Sequence, residues 1–170
     1  MAVDKINQTN SFNEFVKTIE AYCQLIESAQ SDNYRNFLTA TRKLLLHLYT
    51  YSIELPEFEL PEKESEKIDI TDNDIKNILS FIYAKIIDSY YWIVFNPTNY
   101  NDTEPSCGDL VDDLGDIYKD LKTFLHGFNN PSEEVKQNAL WHLHWSFNHH
   151  WNDHCINAIY AIHYFINKDK

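Results

Sequence analysis

Glycine is scarce in this chain, with 3 in 170 residues, and proline is little more common, with 5. A fold of short strands and tight turns needs more of both, so a turn-rich β architecture is excluded. Cysteine is limited to Cys23, Cys107 and Cys155, an odd set without a C-x-x-C spacing. That pattern rules out a disulfide scaffold and fits reduced thiols in the cytoplasm. Basic residues are also few: 14 lysines and arginines face 26 aspartates and glutamates, for a net charge of -12. Such a chain repels nucleic-acid phosphates and anionic lipid alike, so neither is expected as a direct partner. The longest apolar run, residues 81–95, is broken by Lys85 and Asp88 and is too short to span a bilayer. The N-terminus, M-A-V-D-K-I-N-Q-T-N, lacks the apolar stretch of a secretory leader. A cytoplasmic protein is the expectation.

What the chain has is helical periodicity. With 44% hydrophobic residues it can bury one core, and the expectation is an all-α, single-domain bundle over 1–170, of about five helices with a long last helix. The first helix is predicted to start at Ser11, with Glu14 completing a capping box. Phe12, Phe15, Ile19, Tyr22, Cys23 and Ile26 then form its inner stripe. Ser31 suits the cap of a second helix from Asp32 to about Ser52. Residues 53–70 carry two L-P-E units and read as a Pro/Glu-rich loop, either draped on the bundle or acting as a lid or docking segment. A third helix is predicted from Thr71 to about Phe95; its second half is apolar almost all round, as for a central helix or one covered by a second subunit. A polar turn then leads to a fourth helix over Asp109–Phe128. Asn130 is the expected cap of the fifth, with Pro131 at its first position and an end near Asn167.

The fourth helix carries an acidic stripe. On a wheel of about 100° per residue, Asp113, Asp116 and Asp120 fall within about 40° of Asp109, and Asp112 within about 60°. Asp109, Asp112 and Asp113 suit the positive end of a helix. Asp116 and Asp120 do not: aspartate is a poorer helix former than alanine by about 0.6 kcal/mol, and the two repel each other one turn apart. Their presence points to a cation, a histidine or a partner. D-D-L-G-D also spells the aspartate-rich pattern with which isoprenoid synthases hold magnesium diphosphate. The chain is short for that fold and has no second acidic motif of the required type, so this reading is set aside.

The fifth helix contains W-H-L-H-W-S-F-N-H-H-W-N-D-H-C. Leu140, Leu143, Phe147, Trp151, Ala158 and Phe165 mark its inward side, and His150 and His154 lie on that side one turn apart. Two histidines so spaced can reach one divalent metal ion, with carboxylates completing the shell. Equally, two imidazoles hydrogen-bonded to aspartates satisfy both residue types with no metal. His142, His149 and Asp153 form a flanking set on another face.

Y-Y-W-x-x-F-x-P, D-x-E-P, G-x-L-x-D-D-L-x-D-I-Y-x-D-L-K, S-F-x-x-H-W-x-x-H and A-x-x-A-x-H occur in that order over residues 90–163. This series resembles a bacterial family known only as domain of unknown function 5063. The resemblance implies a small all-helical protein without an assigned activity, and it supplies no catalytic residues. It selects Glu104, Asp112, Asp113, Asp116, Tyr118, Asp120, His150, Trp151 and His154, which match the family pattern. His142, His144 and His149 do not match it.

Two functions are compatible with these features. One is a protein-interaction or regulatory module whose acidic groove takes a protein partner or a second copy of the chain. The other is a metal-dependent hydrolase, with His150, His154 and Asp113 or Asp116 as ligands and Asp120 or Glu104 as supporting group or general base. Gly-rich phosphate loops, a dinucleotide fingerprint and a nucleophile–histidine arrangement are all missing.

Overall fold

The computed structural model describes residues 9–28, 33–59, 70–94, 96–101 and 104–168. Five helices and one two-stranded ribbon are present among the described residues, 74% of which are helical, as expected of an all-α fold. α1 is Asn10–Glu27 and buries Phe12, Phe15, Ile19, Tyr22, Cys23 and Ile26. Its cap is Thr9, not Ser11: the Thr9 hydroxyl accepts from the Phe12 amide at 3.3 Å. Glu14 therefore lies past the cap and pairs with Lys17 on the surface. α2 is Tyr34–Ile53, with Asn33 accepting from the Arg35 amide at 2.9 Å; the expected cap, Ser31, lies outside the described residues. Of the Pro/Glu-rich loop, residues 60–69 lie outside them too, while Leu55 and Phe58 rest against the core.

α3 is Asp72–Lys85, capped by Thr71, and it stops ten residues before the expected end at Phe95. The reason is local. Past Ile86 the chain turns extended, and Tyr90–Ile93 becomes strand β1, with Tyr91 and Ile93 turned inward and Tyr90 and Trp92 outward. The burial period is two, so a run that is apolar on every side of a helical wheel is served better by a strand. β1 pairs antiparallel with β2, Ser106–Asp109, in the register Tyr91 opposite Gly108 and Ile93 opposite Ser106. The segment expected as a polar turn thus supplies the second strand.

Lys85 closes the end of α3 and, unusually, is buried. Its ammonium donates to the carbonyls of Leu25 at 3.1 Å and Ile26 at 2.8 Å, in the last turn of α1, and lies 5.2 Å from the centroid of the Phe37 ring. A cation at a helix C-terminus is favoured by the dipole, and these acceptors offset its desolvation.

α4, Leu110–Phe128, starts from Asp109 as expected; the Asp109 carboxylate accepts from the Val111 amide at 3.0 Å. It packs on α1, on α3 and along α5, and so stands at the centre of the molecule. α5 follows as one rod: Glu133–Ser146, a π-helical turn Phe147–Trp151, and Asn152–Asn167. Ser132, not Asn130, is its cap, accepting from the Val135 amide; Asn130 instead accepts from the Ser132 amide at 2.9 Å, which shifts the start beyond Pro131. α4 and α5 approach closely near their connection, where a Cβ on Gly127 would stand 2.8 Å from the Ala139 methyl.

One contiguous core joins these elements, with Tyr22, Phe15, Phe37, Leu114 and Trp151 among its fully buried members. The Tyr22 hydroxyl donates to the Leu114 carbonyl at 2.9 Å in this interior. Cys23 and Cys155 are buried free thiols there, pushed up to about 12 chiefly by burial, so they behave as small apolar side chains. Among the described residues no helix is long and apolar enough to cross a membrane.

Candidate functional site

The aspartates of α4 meet the histidines of α5 where the two antiparallel helices run side by side. His150 Nδ1 lies 2.8 Å from Asp120 Oδ2, and His154 Nδ1 lies 2.9 Å from Asp113 Oδ1. His154 Nε2 is 3.4 Å from Asp116 Oδ2. The rings of His150 and His154 meet edge to face with centroids 5.0 Å apart. One ligand atom from each of Asp116, His150 and His154 lies within 4.8 Å of the others, close enough to share one cation.

The π turn contributes to this alignment. Phe147, Trp151 and Cys155 are all buried at successive spacings of four. In a regular α-helix each step of four overshoots a full turn by about 40°, so the three would fan out over about 80°. The wider turn takes up an extra residue and keeps them facing inward. His150 and His154 are carried in step with them toward α4.

Asp113 is the buried member of the set, only 5% exposed. Its second oxygen, Oδ2, accepts a short hydrogen bond from the Tyr91 hydroxyl. Tyr91 reaches it because Gly108 sits directly beneath its ring; a Cβ there would come within 2.8 Å of the Tyr91 hydroxyl oxygen. Burial, and then the bond to Asp113, pushes the Tyr91 phenol well above its ordinary value, so it stays a donor. Gly108→Ala should therefore displace the Tyr91 hydroxyl from Asp113. The expected cost is about 1–3 kcal/mol of stability from overpacking, read as a lowered denaturant midpoint. A Gly108→Ala protein with unchanged midpoint would contradict this close approach.

His154 is held above the ordinary imidazole value, first by its bond to Asp113 and then by the charges of Asp113, Asp116 and Asp112, against burial, which lowers it. Asp112, on the exposed shoulder of the stripe, is held above the usual carboxylate range by partial burial and then by Asp116. The groups facing the His154 ring are Asp112, Asp113 and Asp116 from α4 and His150 from its own helix, with Tyr91 of β1 beyond Asp113. A raised folded value means that charged His154 stabilises the fold fully below about pH 6.5, and that this contribution is lost as pH rises through the folded value. Metal-free protein in chelator should show a melting temperature that declines as the pH rises above about 6.5, with a flatter slope for His154→Gln. An identical slope in the variant would count against the pairing.

The other residues singled out from the sequence divide clearly. Tyr118 turns away from the histidines: its hydroxyl donates to Glu27 Oε1 at 2.8 Å, and Lys122 donates to the same oxygen at 2.6 Å. Burial raises the Glu27 carboxyl, but these two bonds outweigh it and hold the group below the usual range. Trp151 is fully buried against Phe147, with ring centroids 4.8 Å apart, and is part of the core. Glu104 sits exposed ahead of β2, with nothing described tying it to the cluster. Tyr91 is the member that helical reasoning missed. The sequence carried no signal for it: Y-Y-W-I is aromatic or aliphatic at every position, and alternation appears only in the burial of the strand. A cavity of about 340 Å³ lies elsewhere, lined by Phe12, Phe15, Tyr51 and Pro56, and holds none of the aspartates or histidines.

No curated protein matches the chain. Among solved structures it is similar to the crystal structure of protein BF1032 from Bacteroides fragilis, a structural-genomics target, with a TM-score of 0.80 at 22% identity over 94% of each chain. At that identity the likeness shows a shared fold. The family resemblance seen over residues 90–163 extends much further, taking in the first three helices: the model for the domain of unknown function family DUF5063 matches residues 7–168, and the chain belongs to that family.

Proposed function

We propose that the groove between α4 and α5 binds a divalent transition-metal ion through Asp116, His150 and His154, and that the bound ion activates water for hydrolysis. One observation carries this reading: each histidine gives its Nδ1 to a carboxylate, Asp120 for His150 and Asp113 for His154. A carboxylate on Nδ1 fixes the proton there and leaves Nε2 as the nitrogen that can present a lone pair to a metal, with the ion displacing any proton on it, the arrangement that metal-ligating histidines use. Asp116 completes a trio of two imidazoles and one carboxylate with open positions for water. Metal-bound water titrates near neutrality, and a neighbouring carboxylate such as Asp112 is suited to take its proton. Asp113, with both oxygens engaged, serves as support for His154 and not as a ligand.

The test is elemental analysis of untagged protein purified without chelator, followed by calorimetric titration with zinc and manganese. Near-stoichiometric metal, or binding at micromolar or lower dissociation constant, is expected. Absence of both removes the metal centre and the hydrolase with it.

A second reading, an acidic groove that takes a basic protein partner, is favoured by the exposure of the site: about a third of the Asp116 side chain and a fifth of that of Asp120 remain open to solvent. Binding of a Lys/Arg-rich peptide that survives chelation, and that Asp116→Asn weakens, separates this reading from the first.

A further inference from the structure

The outer face of α5 has a composition that a solvent-exposed helix rarely carries. Between Lys136 and Lys168 its only acidic or basic side chain, histidines aside, is Asp153, in a chain with a net charge of -12. The outward positions are aromatic, aliphatic or amide instead. Trp145 is 45% exposed, Ile156 50%, Tyr160 49% and Tyr164 58%, with Asn148 and His149 also open to solvent. The rings are ordered against one another: Trp141 stacks on Trp145, and Trp145 on His149 with planes 13° apart and centroids 4.8 Å apart. Further along, Tyr160 and Tyr164 pack edge to face at 4.9 Å. A solvated face would use glutamate and lysine here; depletion of charge with enrichment in Trp and Tyr is the mark of the centre of an interface.

The order of residues along this stripe indicates what covers it. A two-fold interface must be self-complementary, so that what one copy offers, the other accepts at the mirrored position. Counted outward from the middle of the stripe, near His154 and Cys155, Ile156 lies opposite Asp153, Tyr160 opposite His149, and Tyr164 opposite Trp145. Two antiparallel copies would thus set aromatic against aromatic at both ends, over about 28 Å of helix. Charge on this face permits the same occupant. Two chains of net charge -12 repel each other across most of their surface, and this face, with Asp153 as its one acidic side chain, is where they can meet with least penalty.

We infer that the outer face of α5 is a contact between two copies of this chain, packed antiparallel about a two-fold axis near the middle of the Trp145–Tyr164 stripe. His150 and His154 bind their aspartates on the α4 side of the same rod, so self-association and the Asp/His groove are independent. Added salt screens the repulsion between the two acidic bodies and leaves apolar contact intact, so association tightens as ionic strength rises, the reverse of an ion-paired interface.

Sedimentation equilibrium on the full chain decides the matter. The expected result is a mass approaching twice the 20.2 kDa of one chain, with a dissociation constant that falls between about 0.05 and about 0.5 M salt. Trp145→Glu and Tyr160→Glu should each weaken the dimer at least about 30-fold, while circular dichroism shows an unchanged fold. Trp92→Glu, on the outward face of the ribbon, should leave it unchanged. A chain that stays monomeric up to about 100 µM overturns the inference. So does a dimer that survives both α5 variants, or one dissolved by Trp92→Glu instead.

Discussion

The double variant His150→Ala/His154→Ala should lose all measurable binding of zinc or manganese, and with it any response of its melting temperature to metal. In the unaltered chain, metal at a hundred times its dissociation constant stabilises the folded state by about 2.7 kcal/mol through mass action. For a chain of this size that is worth on the order of 8 °C in melting temperature. A graded series distinguishes ligands from supports. Asp116→Asn removes a ligand and should cost more than about 100-fold in affinity, whereas Asp113→Asn or Asp120→Asn only loosens a histidine and should cost about 10–100-fold. Equal losses at Asp113 and Asp116 would mean that the roles are assigned wrongly. If the double variant still shifts with metal, the ion binds elsewhere and the trio is structural.

Trp151→Ala should be the most destabilising single substitution in the rod. Trp151 is the largest fully buried side chain and packs on Phe147 at the π turn, where α5 meets α4. Truncation of so large a side chain costs about 3–5 kcal/mol, read as a melting temperature lowered by on the order of 10 °C. Its indole N–H has no hydrogen-bond partner among the described residues. Trp151→Phe therefore removes no bond and should cost less than half as much. A Phe variant as unstable as the Ala variant would imply that the N–H is satisfied after all. Both variants belong in the metal titrations, because loss of the core anchor must disturb the histidines on either side of it.

How much of this was legible in the chain depends on the strength of its periodicity. α1 and α4 could be read because their apolar residues recur at a clear helical spacing, and the inner stripe expected of α1 is the one observed. The error at Ile86 has the opposite cause: a segment apolar at almost every position has no period from which helix and strand can be told apart. Caps were misplaced by two residues at Thr9 and Ser132 because several neighbouring side chains can cap and only backbone geometry chooses among them. For the site, the spacing of His150 and His154 and the two unexplained aspartates were enough to indicate a meeting of α4 and α5. The pairing was not legible. Asp113 had an adequate explanation in the helix dipole, yet it is the buried partner of His154. Tyr91 lay beyond reach, since its role depends on a strand register and on Gly108 in the facing strand.

The π turn at Phe147–Trp151 also fixes the arithmetic of α5. Asn148 is exposed, and by the ordinary rule a surface residue can be exchanged at little cost. Exchange is not deletion. Remove one residue from the wide turn and it closes to a normal one, with the helix on either side keeping its phase, because that residue is the one the turn absorbs. Add a second extra residue there instead, and everything downstream rotates by about 100°: His154 would leave Asp113, and Cys155, Ala158 and Ile162 would turn out of the core, although no side chain in contact with them had changed. The wide turn is thus a phase allowance of one residue, which this helix has already used, and a substitution scan would never reveal it.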